Sequence, residues 1–343
     1  MNRRPWPAVF VLFLGLAPAQ GAEPARFEYE QPHMGTKFRI VLYAPDKATA
    51  DRAAKAGFAR VAELNAIMSD YVATSELMQL CKKFEEKSGP PVKVSKDLFF
   101  VLDKAQEVSR LSDGAFDVTV RPLVVLWRQA RRTQRLPDSK ELAAAKALVG
   151  YQKMELDAKE QTVRLKVPGM QLDLGGIAKG YAADETLKTL NTFGVTIALV
   201  AAGGDIAVAG APPGTEGWKI DIAPLPGSTE KRLLALKDAA VSTSGDAEQF
   251  AVIDGVRYSH IVDPKTGLGL SGRRSVTVIA RQGVWSDSLT KMASILPPEK
   301  AIAIVDKMDG VATLIVRQTN KGEEAFASKR FKEYLKAPLE KRK

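Results

Sequence analysis

The spacing of apolar residues changes period several times along the chain, and each change predicts an element. "FEYEQPHMGTKFRIVLYA" alternates well enough for a strand or hairpin. "DKATADRAAKAGFARVAELNAIMSDY" then carries its apolar residues at helical spacing behind Asp46, a residue type that caps helix starts. "SKDLFFVLDKAQEVSRLSDGAFDV" predicts a second helix, capped by Ser95 and closed by Gly114. Ala115-Phe116-Asp117 then leads into a run rich in valine that predicts a strand. From Ser139, "SKELAAAKALVGYQKMELDAKEQTVRLKVPGMQLDLGG" predicts a short helix and a hairpin that turns at Pro168-Gly169, with a strand ending at Asp173. "KGYAADETLKTLNTFGV" follows as a helix. "TIALVAAGGDIAVAG", "GWKIDIAPL", "AAVSTSGDAEQFAVIDGVRYSHIVDP" and "SVTVIARQ" predict strands joined by glycine turns. "SDSLTKMASILPPEKAIAIVDKM" predicts a helix pair broken at Pro297-Pro298, and "VATLIVRQ" a final strand. Helices and strands mix without steady βαβ alternation. The expected class is therefore α+β, with mixed, largely antiparallel sheets and packed helices.

The N-terminus alters the view of where the protein works. "MNRRPWPAVFVLFLGLAPAQGAEP" has two arginines, an apolar run from Ala8 to Leu16, and small residues ending at Ala19-Gln20-Gly21. That layout predicts a cleavable signal over residues 1–22, with a run too short to span a bilayer comfortably. No cysteine stands near the cleavage region, which excludes a bacterial-type lipid anchor, so a soluble, exported, periplasmic protein is expected. Residues 23–343 show neither a Pro/Ser linker nor a fixed-period repeat and are expected to form one unit.

Composition narrows the chemistry. The single cysteine, Cys81, cannot form an internal disulfide and sits on an apolar helical face, where core packing is its expected role. With only His33 and His260, the chain cannot supply a zinc site built on Cys or His clusters. The net charge of +10 is scattered, and aromatic residues are not interleaved with the basic ones as nucleic-acid stacking platforms require. Phosphates, acidic partners or an anionic membrane surface suit that charge equally well.

Among the individual segments, "QLDLGGIAKGYAADE" is the most informative. Gly175 and Gly176 permit close backbone approach, and a helix starting near Ile177 places Lys179 in its first turn, where free N–H groups and a lysine favour an anion. It is neither a P-loop nor a dinucleotide fingerprint, and a plain strand-turn-helix accounts for it as well. The turn in "ALVAAGGDIAVAG" is either a simple reversal or backbone lining a ligand pocket. His260 in "RYSHIVDPKTG" is a candidate general base or a structural strand-end residue. Asp117 could cap, or pair with Arg121. In "SDSLTKM", Asp287, Thr290 and Lys291 share one helix face.

Taken together and in order, "MGT", "MSDYVATSEL", "SDGAFDVTVRPL", "LDLGGIAKGYAAD", "AGGDIAVAG", "VSTSGD", "YSHIVDPKTG", "SVTVIA" and "SDSL" with "PPEKA" resemble the FAD:protein FMN transferase family, the ApbE-like flavin transferases. The resemblance runs from about Phe27 to about Val316. It implies an exported enzyme that takes FAD as substrate, moves its FMN half through a phosphoester onto a threonine or serine of a client flavoprotein, and releases AMP. By motif position it implies FAD contacts at Met34, Tyr71, Ala115, Phe116, Asp117, Asp173, Lys179 and Val262, with His260 as the base that takes the acceptor proton. It also implies Mg²⁺ held by oxygen ligands at the Gly176 carbonyl, Asp287 and the residue four beyond.

That last position is commonly threonine in the family and is Lys291 here, and an ammonium has no lone pair for a cation. Three readings follow. Thr290 serves with Asp287 while Lys291 turns away; or Lys291 pairs with Asp287 and neutralises the diphosphate in place of metal; or the protein binds FAD without transferring it. Hydrolysis of FAD to FMN and AMP is a further alternative at the same site. Clients of such enzymes carry a threonine or serine in a short Gly-Ala turn. No convincing copy stands in this chain, so the client is expected to be another exported or membrane-bound flavoprotein.

Overall fold

The computed structural model describes residues 23–225, 232–245 and 250–336. The segment expected to be a signal, residues 1–22, lies outside them. The framework is one eight-stranded sheet: β1 (Ala25–His33), β2 (Thr36–Ala44), β3 (Ala198–Ala202), β4 (Asp205–Ala209), β5 (Ala239–Gly245), β6 (Arg273–Ala280), β7 (Ala312–Thr319) and β8 (Gly322–Ala327). These strands lie side by side in chain order and every neighbouring pair is antiparallel, as the expected class requires. Met34 and Gly35, at φ of 48° and 72°, form the two-residue turn between β1 and β2 that suits the twist of such a hairpin.

Both faces of the sheet are covered, which explains why its central strands are apolar runs rather than alternating ones. Phe38, Ile40, Leu42, Val200 and Val278 point into the larger core, beneath the helices α1 (Lys47–Met68), α3 (Ala178–Asn191) and α4 (Gly283–Ile295). Val41, Leu199, Val241, Ile279 and Leu314 point the other way, onto Trp218, Ile220, Leu234 and Phe331 beside a small sheet of Trp218–Ile222, Arg232–Leu236 and Leu335–Lys336. Asp46 caps α1 and Ser95 caps the helix Lys96–Leu111, as their residue types predict. Cys81 is buried in the core.

Several expectations need correction. The run after Asp117 is not a strand but a short 3₁₀ turn, Val118–Val120, leading into the helix α2 (Arg121–Thr133). Pro122 favours a first helical turn, and Leu123, Trp127 and Ala130 are buried at helical spacing, which overrides the β-branched composition. The hairpin after the helix Ser139–Ala147 turns at residues 158–161, not at Pro168-Gly169. Asp157 accepts from the N–H groups of Lys159 and Glu160 and closes that turn. No strand ends at Asp173; its N–H donates to the Val118 carbonyl in an irregular segment. β7 is not the last strand, since β8 and Leu335–Lys336 follow it.

A third core holds the strand that carries His260. Leu123, Trp127 and Ala130 of α2 pack on Ala251, Ile253 and Val262 of the hairpin formed by Phe250–Ile253 and Val256–Val262. The Trp127 indole N–H donates to the Ser259 carbonyl at 3.0 Å, fixing the strand one residue before the histidine.

Helices α3 and α4 meet where Gly180 and Gly283 touch through their backbones. A Cβ on Gly180 would overlap the Gly283 carbonyl and lie 2.8 Å from the Asp287 Cβ. The two helix starts cap each other. Asp184 of α3 accepts from the N–H groups of Gly283 (2.6 Å) and Val284 (3.0 Å), and Asp287 of α4 accepts from Gly180 N–H at 3.1 Å. Burial pushes the Asp184 carboxyl up to about 6. Gly180→Ala is expected to cost about 1–3 kcal/mol or more in a denaturant titration, because backbone rather than a flexible side chain must move.

Candidate functional site

The start of α3, with Ala178 and Lys179, and Lys291 of α4 face a cleft of about 1510 Å³. Met34, Tyr71, Lys179, His260 and Lys291, far apart in sequence, all line it. The β1–β2 turn brings Met34, the chain after α1 brings Tyr71, α3 brings Lys179, α4 brings Lys291, and the strand docked on Trp127 brings His260. The other histidine, His33, also lines the cleft, but it stacks on Phe58 with ring centroids 5.8 Å apart, and burial lowers its pKa.

At the mouth, Tyr71 is 78% exposed with the Arg128 guanidinium 4.4 Å from its ring centroid. That pairing holds the ring as a flat platform. Arg128 is itself anchored on Asp70 at 2.8 Å and Asp173 at 3.4 Å. Burial and the neighbouring Asp70 push the Asp173 carboxyl above the usual range. Asp173 therefore supports the platform from below and accepts from Gly175 N–H, and it is not among the residues lining the cleft.

At the floor, Lys179 Nζ lies 3.1 Å from Asp205 and 3.7 Å from Asp287, and it donates to the Gly175 carbonyl. Burial works against its ammonium, but the two carboxylates outweigh it and hold the pKa above the ordinary lysine value. Lys291 Nζ donates to Asp287 Oδ1 at 2.7 Å and lies 3.1 Å from Thr290 Oγ1. Asp287 has no solvent exposure; burial alone would raise its pKa, yet Lys179 and Lys291 prevail and lower it. The anion expected at the start of α3 is thus in part the protein's own, since Asp287 already occupies the Gly180 N–H.

Of the readings left open for Lys291, the geometry matches the one in which it pairs with Asp287, since the side chain lies on the carboxylate and is not turned away. Gly176 makes this possible, because a Cβ there would sit 3.2 Å from Lys291 Cγ and 3.4 Å from the Phe116 ring. Nor do the oxygen donors fit Mg²⁺. Both Asp287 oxygens face ammonium or N–H donors, and the Thr290 hydroxyl donates to the Asp287 carbonyl while Ser244 and Lys291 donate to it. A divalent cation about 4 Å from an ammonium would meet a repulsion on the order of 8 kcal/mol at the effective dielectric of a protein.

The remaining expected contacts lie behind the cleft wall. Phe116 is buried against the Gly176 turn. Ala115 is buried, and Asp117 caps the 3₁₀ turn by accepting from Thr119 rather than pairing with Arg121, which turns to Asp70 and Gln171. Val262 belongs to the third core. Sequence reasoning missed Asp205, Ser244, Asp70 and Arg128. For Asp205 a signal was present: an acid entering an apolar strand needs a buried cation, and Lys179 is the lysine that the glycine turn presents.

The ApbE family pattern matches residues 34–315. The FAD:protein FMN transferase of Vibrio cholerae is 30% identical over 310 residues, 89% of this chain and 91% of that protein. The FAD:protein FMN transferase of Salmonella typhimurium is 30% identical over 325 residues, covering 92% of this chain and 91% of its own length. Among solved structures, the flavin transferase ApbE from Vibrio cholerae superposes with a TM-score of 0.82 at 30% identity over 91% of this chain and all of that one. The apo flavinyl transferase ApbE of Pseudomonas stutzeri gives 0.80 at 27% identity over 92% of this chain and 99% of its own.

Proposed function

The chain belongs to the ApbE family, and on that premise we propose that it is an FAD:protein FMN transferase, cleaving FAD and attaching FMN to a threonine or serine of a client flavoprotein. The observation that carries the reading is the convergence on one cleft of an aromatic platform, Tyr71 on Arg128, two ammonium groups, Lys179 and Lys291, and the imidazole of His260. The platform suits the flat isoalloxazine ring, Met34 lines the same cleft, and the ammonium groups suit the diphosphate.

In the proposed step the acceptor hydroxyl oxygen bonds to the phosphorus of the FMN half. The bond from that phosphorus to the bridging oxygen breaks, and the oxygen leaves with AMP. His260 takes the hydroxyl proton as the oxygen attacks, and the two lysines oppose charge on the phosphoryl oxygens. Positioning and charge neutralisation carry most of such a transfer.

We place the mature protein in the periplasm, on the layout of its first 22 residues. The basic balance of the full sequence, net charge +10, suits a peripheral approach to clients at an anionic membrane. Among the described residues no helix is long and apolar enough to cross a membrane. The test is incubation with FAD and an acceptor polypeptide bearing threonine in a Gly-Ala turn. AMP release matched by covalent flavin on the acceptor is expected. AMP without labelled acceptor would instead mark a hydrolase, and bound FAD without AMP a carrier.

A further inference from the structure

We propose that Lys291 stands in for a divalent cation on Asp287, so that the diphosphate end of the cleft holds its ligand with two ammonium groups and without Mg²⁺. The proposal rests on the reading of this cleft as an FAD site.

Three features of the structure carry it. Asp287, the one carboxylate on this face of α4, has both oxygens engaged by donors: Lys291 Nζ sits on Oδ1 at 2.7 Å, and Oδ2 takes the Gly180 N–H at 3.1 Å with Lys179 Nζ at 3.7 Å. Thr290, the neighbouring hydroxyl, is equally committed. It donates to the Asp287 carbonyl at 2.7 Å and is approached by Ser244 Oγ at 2.9 Å and Lys291 Nζ at 3.1 Å, which uses its donor and both lone pairs. Lys291 is nonetheless reachable, since its side chain keeps 18% of its exposure and lines the cleft beside Lys179 and His260.

The local charge balance sharpens the expectation. Asp205 and Asp287 are matched one for one by Lys179 and Lys291. A lysine brings one positive charge where a divalent cation would bring two, yet it needs no vacant oxygen ligand and is tethered in place. Gly176 is part of the arrangement, because any side chain there would press on the Lys291 stem. Replacing Lys291 by threonine would remove that charge, free Asp287 Oδ1, and add a hydroxyl one helical turn beyond the carboxylate. Such a variant acquires the oxygen donors that a hard cation needs.

The experiment titrates FAD into the full chain by flavin fluorescence, with excess chelator and with Mg²⁺, and follows Mn²⁺ binding in parallel by electron paramagnetic resonance. The wild type is expected to bind FAD equally well in both conditions and to leave Mn²⁺ free. Lys291→Thr, its fold checked by circular dichroism, is expected to bind FAD about tenfold or more weakly in chelator, to regain affinity with Mg²⁺, and to take up Mn²⁺. Loss of FAD binding by the wild type in chelator, or uptake of Mn²⁺ together with FAD, overturns the proposal while leaving the FAD site standing. Absence of FAD binding in every condition overturns the FAD site, and this proposal with it.

Discussion

His260→Ala is expected to slow flavin transfer by about 10²–10⁴-fold, the range over which a positioned general base acts, while FAD affinity stays near that of the wild type. The two readouts separate because the residue's setting divides its roles. The strand Val256–Val262 is held by Tyr258 and Val262 in the third core and by the Trp127 N–H on the Ser259 carbonyl, contacts made by other groups than the imidazole. His260 is half-buried and lines the same cleft as the lysines that are proposed to hold the diphosphate. Its removal should therefore leave the platform of Tyr71 and Arg128 and the lysine pair intact. The matching control is His33→Ala. That ring is stacked on Phe58 and edge-on to Phe38, so its loss should weaken packing around the β1–β2 turn and leave the transfer step itself nearly unchanged. Parallel titration of FAD binding and single-turnover AMP release reads both. An equal loss of binding and transfer in His260→Ala would make this histidine a structural one.

Much of this arrangement could be read from the chain, and what could not has identifiable physical causes. Asp46 and Ser95 announce their helices because a capping side chain bonds within its own turn. The Gly175-Gly176 turn announces a close approach for the same local reason, although the group that approaches, Lys291, comes from more than a hundred residues away. Valines around Pro122 suggested a strand because β-branched composition is a weak guide. Burial of Leu123, Trp127 and Ala130 against the His260 hairpin decided for a helix. Asp205, Asp70 and Arg128 stayed hidden as site residues since each is defined by a partner in another segment. A sequence shows a charge but not the charge that it meets.

The contrast between Lys291 and its surroundings illustrates the same limit. On the sequence alone, Asp287, Thr290 and Lys291 share a face by helical geometry, which leaves open whether the lysine serves the carboxylate or avoids it. Tertiary structure settles the matter through a distant glycine. With Gly176 opposite, the lysine stem has room to lie along the helix and bring its ammonium to Oδ1. An i, i+4 pair on an exposed helix contributes a few tenths of a kcal/mol, but here one partner is wholly buried and carries a second lysine as well.

For that reason Asp287→Ala is expected to destabilise the protein by about 3–5 kcal/mol, the scale seen when one partner of a buried ion pair is removed. The substitution takes the carboxylate from Lys291, which keeps the Thr290 hydroxyl as a partner, and it leaves the Gly180 N–H without its acceptor at the start of α3. Lys179 keeps Asp205 and suffers less. A denaturant titration measures the loss, and its pH dependence has a definite sign. The lysines hold the Asp287 carboxyl below its ordinary pKa in the folded state, so its stabilisation is present above the unfolded value of about 3.9 and fades as pH falls through the lower folded value. The gap between wild type and variant should accordingly be widest near neutrality and should narrow below about pH 4. Removing the second partner discriminates further: Asp287→Ala with Lys291→Met takes away the unpaired ammonium and should recover part of the stability. A double variant no more stable than the single one would show that Asp287 acts mainly through Gly180 and the joint between α3 and α4, and not through the lysine that occupies it.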